Sequence, residues 1–157
     1  MQFGKIDKKD FLIPPFALIY FYQLVADTFN LPTISKHQFF YSEIASWFGV
    51  FLCLIGLILF FHSIKSFGPS FRVGIDTNKP DQLITSGVFA ISRNPIYVGF
   101  WIVLLGQFLI FPNWILLIYL GAATLLFHRQ TLLEEKFLMD YYGQEYQDYC
   151  DQVKRYL

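Results

Sequence analysis

Charge is scarce in this sequence. Only 15% of its 157 residues are Asp, Glu, Lys or Arg, against about a quarter in ordinary soluble domains. Twelve basic and twelve acidic residues cancel, so no net field draws the chain to nucleic acid, and no nucleic-acid partner is expected. Cysteine is nearly absent. Cys53 lies in an apolar run and Cys150 in a polar stretch, which makes neither a disulfide framework nor a zinc site. His62 and His128 have no Cys or Asp beside them at ligand spacing, so no metal is expected. What the chain has in excess is apolar surface: 55% hydrophobic and 20% aromatic residues, with a mean hydropathy of +0.42. Disorder needs the reverse and is excluded. The length fits one domain, residues 1–157, and the composition is that of a small integral membrane protein.

Long uncharged runs locate the spans. Ile44 to Phe61 holds eighteen residues without a charge, enough at about 1.5 Å per residue to cross most of a ~30 Å hydrocarbon core. Phe11 to Phe29 is broken only by Gln23, Asp27 and Thr28, with Pro14 and Pro15 in its first turn, where proline is tolerated. A signal peptide is the weaker reading of this segment, because no small-x-small site follows it. Ile96 to Phe127 is uncharged over 32 residues, too long for one span, and Phe111-Pro112-Asn113 breaks it. Asn94 stands where it can cap the following helix, with Pro95 in the first helical position. The expected fold is all-α and membrane-embedded. It has about four transmembrane helices, near 11–29, 44–62, 95–111 and 113–130, the last two forming a hairpin.

Eleven of the twelve basic residues then fall on one side, leaving Lys36 opposite. This predicts a multi-pass protein with both termini in the cytoplasm, and a bacterial inner membrane is the expected location. Residues 62–94 are too long for a mere link and too apolar for disorder, so they are expected to form a cytoplasmic cap. Thr131 to Tyr142 has helical period, Gly143 is placed to end it, and a second short helix should follow with Tyr146 and Tyr149 on one face.

Three strings have chemical potential: Leu83 through Gly99, the Glu134-Glu135 pair, and Tyr142 through Tyr149 with Val153-Lys154-Arg155. Arg93 sits at the start of a span whose free N–H groups favour a carboxylate or phosphate, and Tyr97 lies one turn inside. Adjacent glutamates point about 100° apart, so one can face the helices while its neighbour faces elsewhere. Plainer accounts stand beside these: a positive-inside arginine, an interfacial tyrosine, a solvated acidic turn and an aromatic belt.

In these strings the chain resembles the isoprenylcysteine carboxyl methyltransferase family, membrane-embedded enzymes that use S-adenosylmethionine, and the related phospholipid N-methyltransferases. Ser86-Gly87-Val88-Phe89, Arg93-Asn94-Pro95-Ile96-Tyr97-Val98-Gly99, Glu134-Glu135 and Tyr142-Gly143-Gln144-Glu145-Tyr146 appear in the family's order. The resemblance implies a S-adenosylmethionine-dependent methyltransferase acting on a lipidic or membrane-partitioned acceptor. It also implies a cytoplasmic cofactor region at about 67–97 and 129–155. Gln82, Leu83, Ile84, Phe89, Asn94, Pro95, Ile96, Tyr97, Glu134 and Glu135 would border the cofactor. Arg93, Glu134 and Arg129 would serve catalysis. Two departures stand out. Asn94 replaces a frequent histidine and cannot exchange a proton near neutral pH. Gln130, beside Arg129, occupies the place of a substrate-orienting arginine. A phospholipid or amine N-methyltransferase, and a non-catalytic membrane scaffold of the same fold, are the alternatives.

Overall fold

The computed structural model describes Leu18, Phe21, Tyr22, Val25, Ala26, Phe29, Leu31, Pro32, residues 38–67 and residues 83–157. Four α-helices carry the described chain: α1 (Glu43–Phe67), α2 (Pro95–Ile110), α3 (Trp114–Tyr142) and α4 (Gln144–Gln152), with a 3-10 turn at Gly87–Ala90. No strand occurs among the described residues. The expected span near 11–29 falls largely outside them, though Leu18, Phe21, Tyr22, Val25 and Ala26 have helical backbone. Residues 68–82 of the expected cap also lie outside.

Helices α1 and α3 are long and apolar enough to cross a membrane, and α2 is a shorter apolar helix. Trp47, Phe51, Leu54, Ile58 and Phe61 of α1 are exposed. A helix apolar all round and unburied in protein has lipid as its natural solvent.

Glycine sets the approach of α1 to α2. A Cβ on Gly56 would lie 2.7 Å from the Gly99 carbonyl oxygen, and one on Gly106 would lie 2.6 Å from the Gly49 oxygen and 2.7 Å from Cys53 Sγ. Gly49 faces Gly106 and Gly56 faces Gly99, so a seven-residue spacing on each helix makes an antiparallel seam. Without hydrophobic drive between helices in lipid, such close backbone contact is a principal source of association.

The turn after α2 forms as the Phe-Pro-Asn string predicts. Asn113 caps α3, its side chain accepting from Leu116 N at 3.0 Å. Phe39 lies against this turn: its N–H donates to Pro112 O (2.7 Å), and its ring meets Trp114 edge-on with centroids 4.7 Å apart. This is one end of the bundle.

Two sequence expectations are corrected here. Helix α3 does not stop near 130; it continues unbroken through Thr131–Tyr142 to Gly143. At 29 residues and about 1.5 Å per residue it is roughly 43 Å long, more than a ~30 Å hydrocarbon core needs. Its second half therefore projects at the opposite end of the bundle with Glu134 and Glu135. Gly143 does end it, at φ 54°, a left-handed conformation that favours glycine. The second correction concerns Asn94. It occupies the residue before α2 but makes no capping bond, because its amide is used elsewhere.

Candidate active site

At the end of the bundle opposite Phe39, the start of α2 meets the projecting half of α3. Tyr97, one turn into α2, donates from its hydroxyl to Glu134 Oε1 at 2.7 Å, and its ring lies 5.4 Å from that of Phe127. Gln130, one turn before Glu134, donates from Nε2 to the same oxygen at 3.0 Å. Both bonds fall on Oε1.

Glu135 is turned towards two cations. Arg93 Nη2 lies 3.2 Å from its Oε1, and Arg155 reaches Oε2 with Nη2 at 2.8 Å and Nε at 2.9 Å. Arg93 and Glu135 are nearly nine-tenths buried, whereas Arg155 is 39% exposed. The Asn94 amide donates to Arg155 O at 3.1 Å and approaches Glu135 Oε1 at 3.5 Å. The adjacent glutamates thus diverge as helical geometry requires, but neither simply faces water.

The segment after α4 closes this arrangement. Arg93 N donates to Lys154 O at 3.0 Å and Ser92 Oγ to Arg155 O at 3.4 Å. Tyr149 OH donates to Phe89 O at 2.6 Å. Burial pushes the Tyr149 phenol up to about 12, against an opposing effect of the Arg93 charge. Tyr146 is raised too, by burial first and the Glu135 carboxylate second. Its hydrogen bond to Glu135 holds the Arg155 guanidinium still more firmly protonated. Arg93 Nε and Thr131 Oγ1 are buried and have no hydrogen-bond partner among the described residues. Thr131 is one turn before the glutamate pair, on the face of α3 that carries Phe127 to Tyr97.

Arg93, Asn94, Tyr97, Glu134 and Glu135, all expected from sequence, therefore fall into two bonded groups, Tyr97 with Glu134 and Arg93 and Asn94 with Glu135. Pro95 is buried at the α2 start, with Ile96 half-buried beside it, and Phe89 is buried in the 3-10 turn. Leu83 and Ile84 are half-buried before that turn, in neither helix nor strand; Gln82 lies outside the described residues. Arg129 is exposed on α3, and it is Gln130 that binds Glu134. Sequence reasoning left Arg155, Gln130 and Ser92 out of the site. The Val-Lys-Arg string was the available signal for Arg155, and the four-residue step to Glu134 for Gln130.

Comparison with known proteins gives the family. The chain is 32% identical over 108 residues to protein-S-isoprenylcysteine O-methyltransferase of Tribolium castaneum, covering 67% of this chain and 38% of that protein. It is 33% identical over 106 residues to the Schizosaccharomyces pombe protein of the same name, covering 66% and 44%. The chain thus spans less than half the length of these two relatives. A solved eukaryotic intramembrane Ras methyltransferase, isoprenylcysteine carboxyl methyltransferase, shares the fold with a TM-score of 0.67 at 24% identity, over 95% of this chain and 52% of that one. Residues 44–145 match the phospholipid methyltransferase family, a stretch that runs from α1 through the glutamate pair into α4, and on that match the chain belongs to this family.

Proposed function

We propose that this protein is an S-adenosylmethionine-dependent methyltransferase that methylates a carboxylate on a lipophilic, membrane-partitioned acceptor of the isoprenylcysteine type. The carrying observation is the glutamate pair on the projecting half of α3, with Glu134 held by Tyr97 and Gln130 and Glu135 held by two arginines. The names of the relatives support the same reaction.

The donor set fits the cofactor. The Glu134 carboxylate would accept from an amino or hydroxyl group, Arg93 Nε is a buried donor without an acceptor among the described residues, and Thr131 Oγ1 is a buried hydroxyl. With Asn94 turned away from the helix start, the first-turn N–H groups of Ile96 and Tyr97 are open to an anionic group. When bound, S-adenosylmethionine would supply an electrophilic methyl group to a carboxylate oxygen, the methyl–sulfur bond breaking in line as the methyl–oxygen bond forms, with S-adenosylhomocysteine leaving and no proton to lose. The protein's task is therefore positioning. Tyr97 and Gln130 fix the Glu134 rotamer, and Arg93 with Asn94 and Pro95 fixes the start of α2. No imidazole base is required at Asn94. Arg93 is the cation assigned beside the reacting groups, and the exposed Arg129 is assigned to the membrane boundary.

In the membrane, four spans near 11–29, 44–62, 95–111 and 113–130 place both termini and the site on the cytoplasmic side, supported by the one-sided basic residues. The acceptor then reaches the site from lipid and the cofactor from water. Incubating the reconstituted protein with methyl-labelled S-adenosylmethionine and a farnesylcysteine derivative should give a base-labile labelled ester. Label in a lipid amine instead would overturn the acceptor, and label in neither would overturn the reaction.

A further inference from the structure

The segment that follows α4 does more than cover the site. From α4 onward six contacts tie the chain to the 3-10 turn, the entrance of α2 and α3. Tyr149 binds the Phe89 carbonyl, and Lys154 O receives Arg93 N. Arg155 O receives the Asn94 amide and the Ser92 hydroxyl, and Tyr156 OH lies 2.8 Å from His128 Nδ1. The Arg155 guanidinium meanwhile chelates one oxygen of Glu135 with two donors. A single residue thus holds the start of α2 through its carbonyl and α3 through its side chain. The Asn94 amide, which would otherwise cap α2, is drawn to Arg155 O.

We infer that Arg155 is a positioning residue: it locks the entrance of α2 to the Glu135 side of α3 and so holds Tyr97 against Glu134. Arg155 joins these two elements through a main-chain and a side-chain bond at once. The chelating geometry matters because a fork with two donors fixes direction, whereas an ammonium supplies only a point charge. What the locked site is for rests on the methyltransferase reading; the lock itself rests on geometry alone.

The test uses full-length protein in lipid nanodiscs, comparing wild type, Arg155→Ala and Arg155→Lys. Without cofactor, Arg155→Ala should speed amide hydrogen exchange across residues 92–98 by tenfold or more, leaving the mid-helix amides of α1 unchanged. Arg155→Lys should fall between the two. Unchanged exchange at 92–98 would overturn the inference, as would equal acceleration throughout α1, which reports general loosening. Binding of S-adenosylhomocysteine gives the second readout. Arg155→Ala should weaken it at least tenfold, and Arg155→Lys should recover part of that loss; equal affinities in all three proteins would overturn the role. If wild type binds no S-adenosylhomocysteine, the proposed function fails, and the exchange data still decide the lock.

Discussion

Tyr97 and Glu134 bear the most direct consequence at the scale of single residues. A hydrogen bond to a charged group is worth about 1.5–3 kcal/mol, so Tyr97→Phe should lower kcat/KM for the cofactor by about 10- to 100-fold. Glu134→Gln removes the charge and should lower it further. Equal kinetics in Tyr97→Phe and wild type would show that the bond is incidental. Tyr149 offers a pH test. Its pKa is raised from the usual value near 10 to about 12, so the folded state favours the neutral phenol. That stabilisation is complete below pH ~10 and is lost as pH climbs towards about 12. Docking of α4, followed by protease protection of the tail, should be flat through neutral pH and weaken only in that alkaline window. Tyr149→Phe should shrink the alkaline step, leaving the part due to Tyr146, whose phenol is also raised by burial. Pairings at this scale were only half legible. Arg93, Asn94, Tyr97 and the two glutamates stood out by type and spacing. Arg155 stood out only within the Val-Lys-Arg string and without a partner, because an arginine in a polar stretch looks the same whether it faces water or Glu135.

Elements raise a different question, which is how three apolar helices choose one arrangement. The glycine seam decides it for α1 and α2. Gly106→Ala puts a methyl within 2.6 Å of a backbone oxygen, and backbone can only move away. Overpacking of this kind costs about 1–3 kcal/mol, and we expect a matching loss in detergent unfolding. Gly121 in α3 is the control: a Cβ there meets nothing within 4 Å, so Gly121→Ala should be neutral or stabilise by up to ~1 kcal/mol through helix propensity. Helix identity was readable from the long uncharged runs, and so was the turn at Phe111-Pro112-Asn113. The continuity of α3 through Thr131 was not. The change from apolar to charged residues there marks where the environment changes, and the backbone hydrogen bonds of a helix continue regardless of what surrounds it.

For the whole molecule, the consequence is polarity. Phe39 and the 111–113 turn share one end, while Arg93, Glu135 and Arg155 share the other. In a chain whose Cys53 and Cys150 are replaced by alanine, Tyr41→Cys should react with an impermeant maleimide only from outside the cell. Asp151→Cys should react only after the inner face is opened. Labelling of both from the same side would overturn the topology.

Composition and hydropathy by themselves determined that this chain is helical and belongs in a membrane, because uncharged runs of span length have no other stable solvent. The one-sided basic residues lead only to an expectation of which ends lie together, and the maleimide labelling tests it. Only the tertiary structure decided the bonding within the site. It set Glu134 on Tyr97 and Gln130, turned the Asn94 amide from its helix to Arg155, and gave Glu135 two arginines. Such choices depend on the angle and depth at which α2, α3 and the segment after α4 converge, and no periodicity along a single strand of sequence encodes the crossing of three.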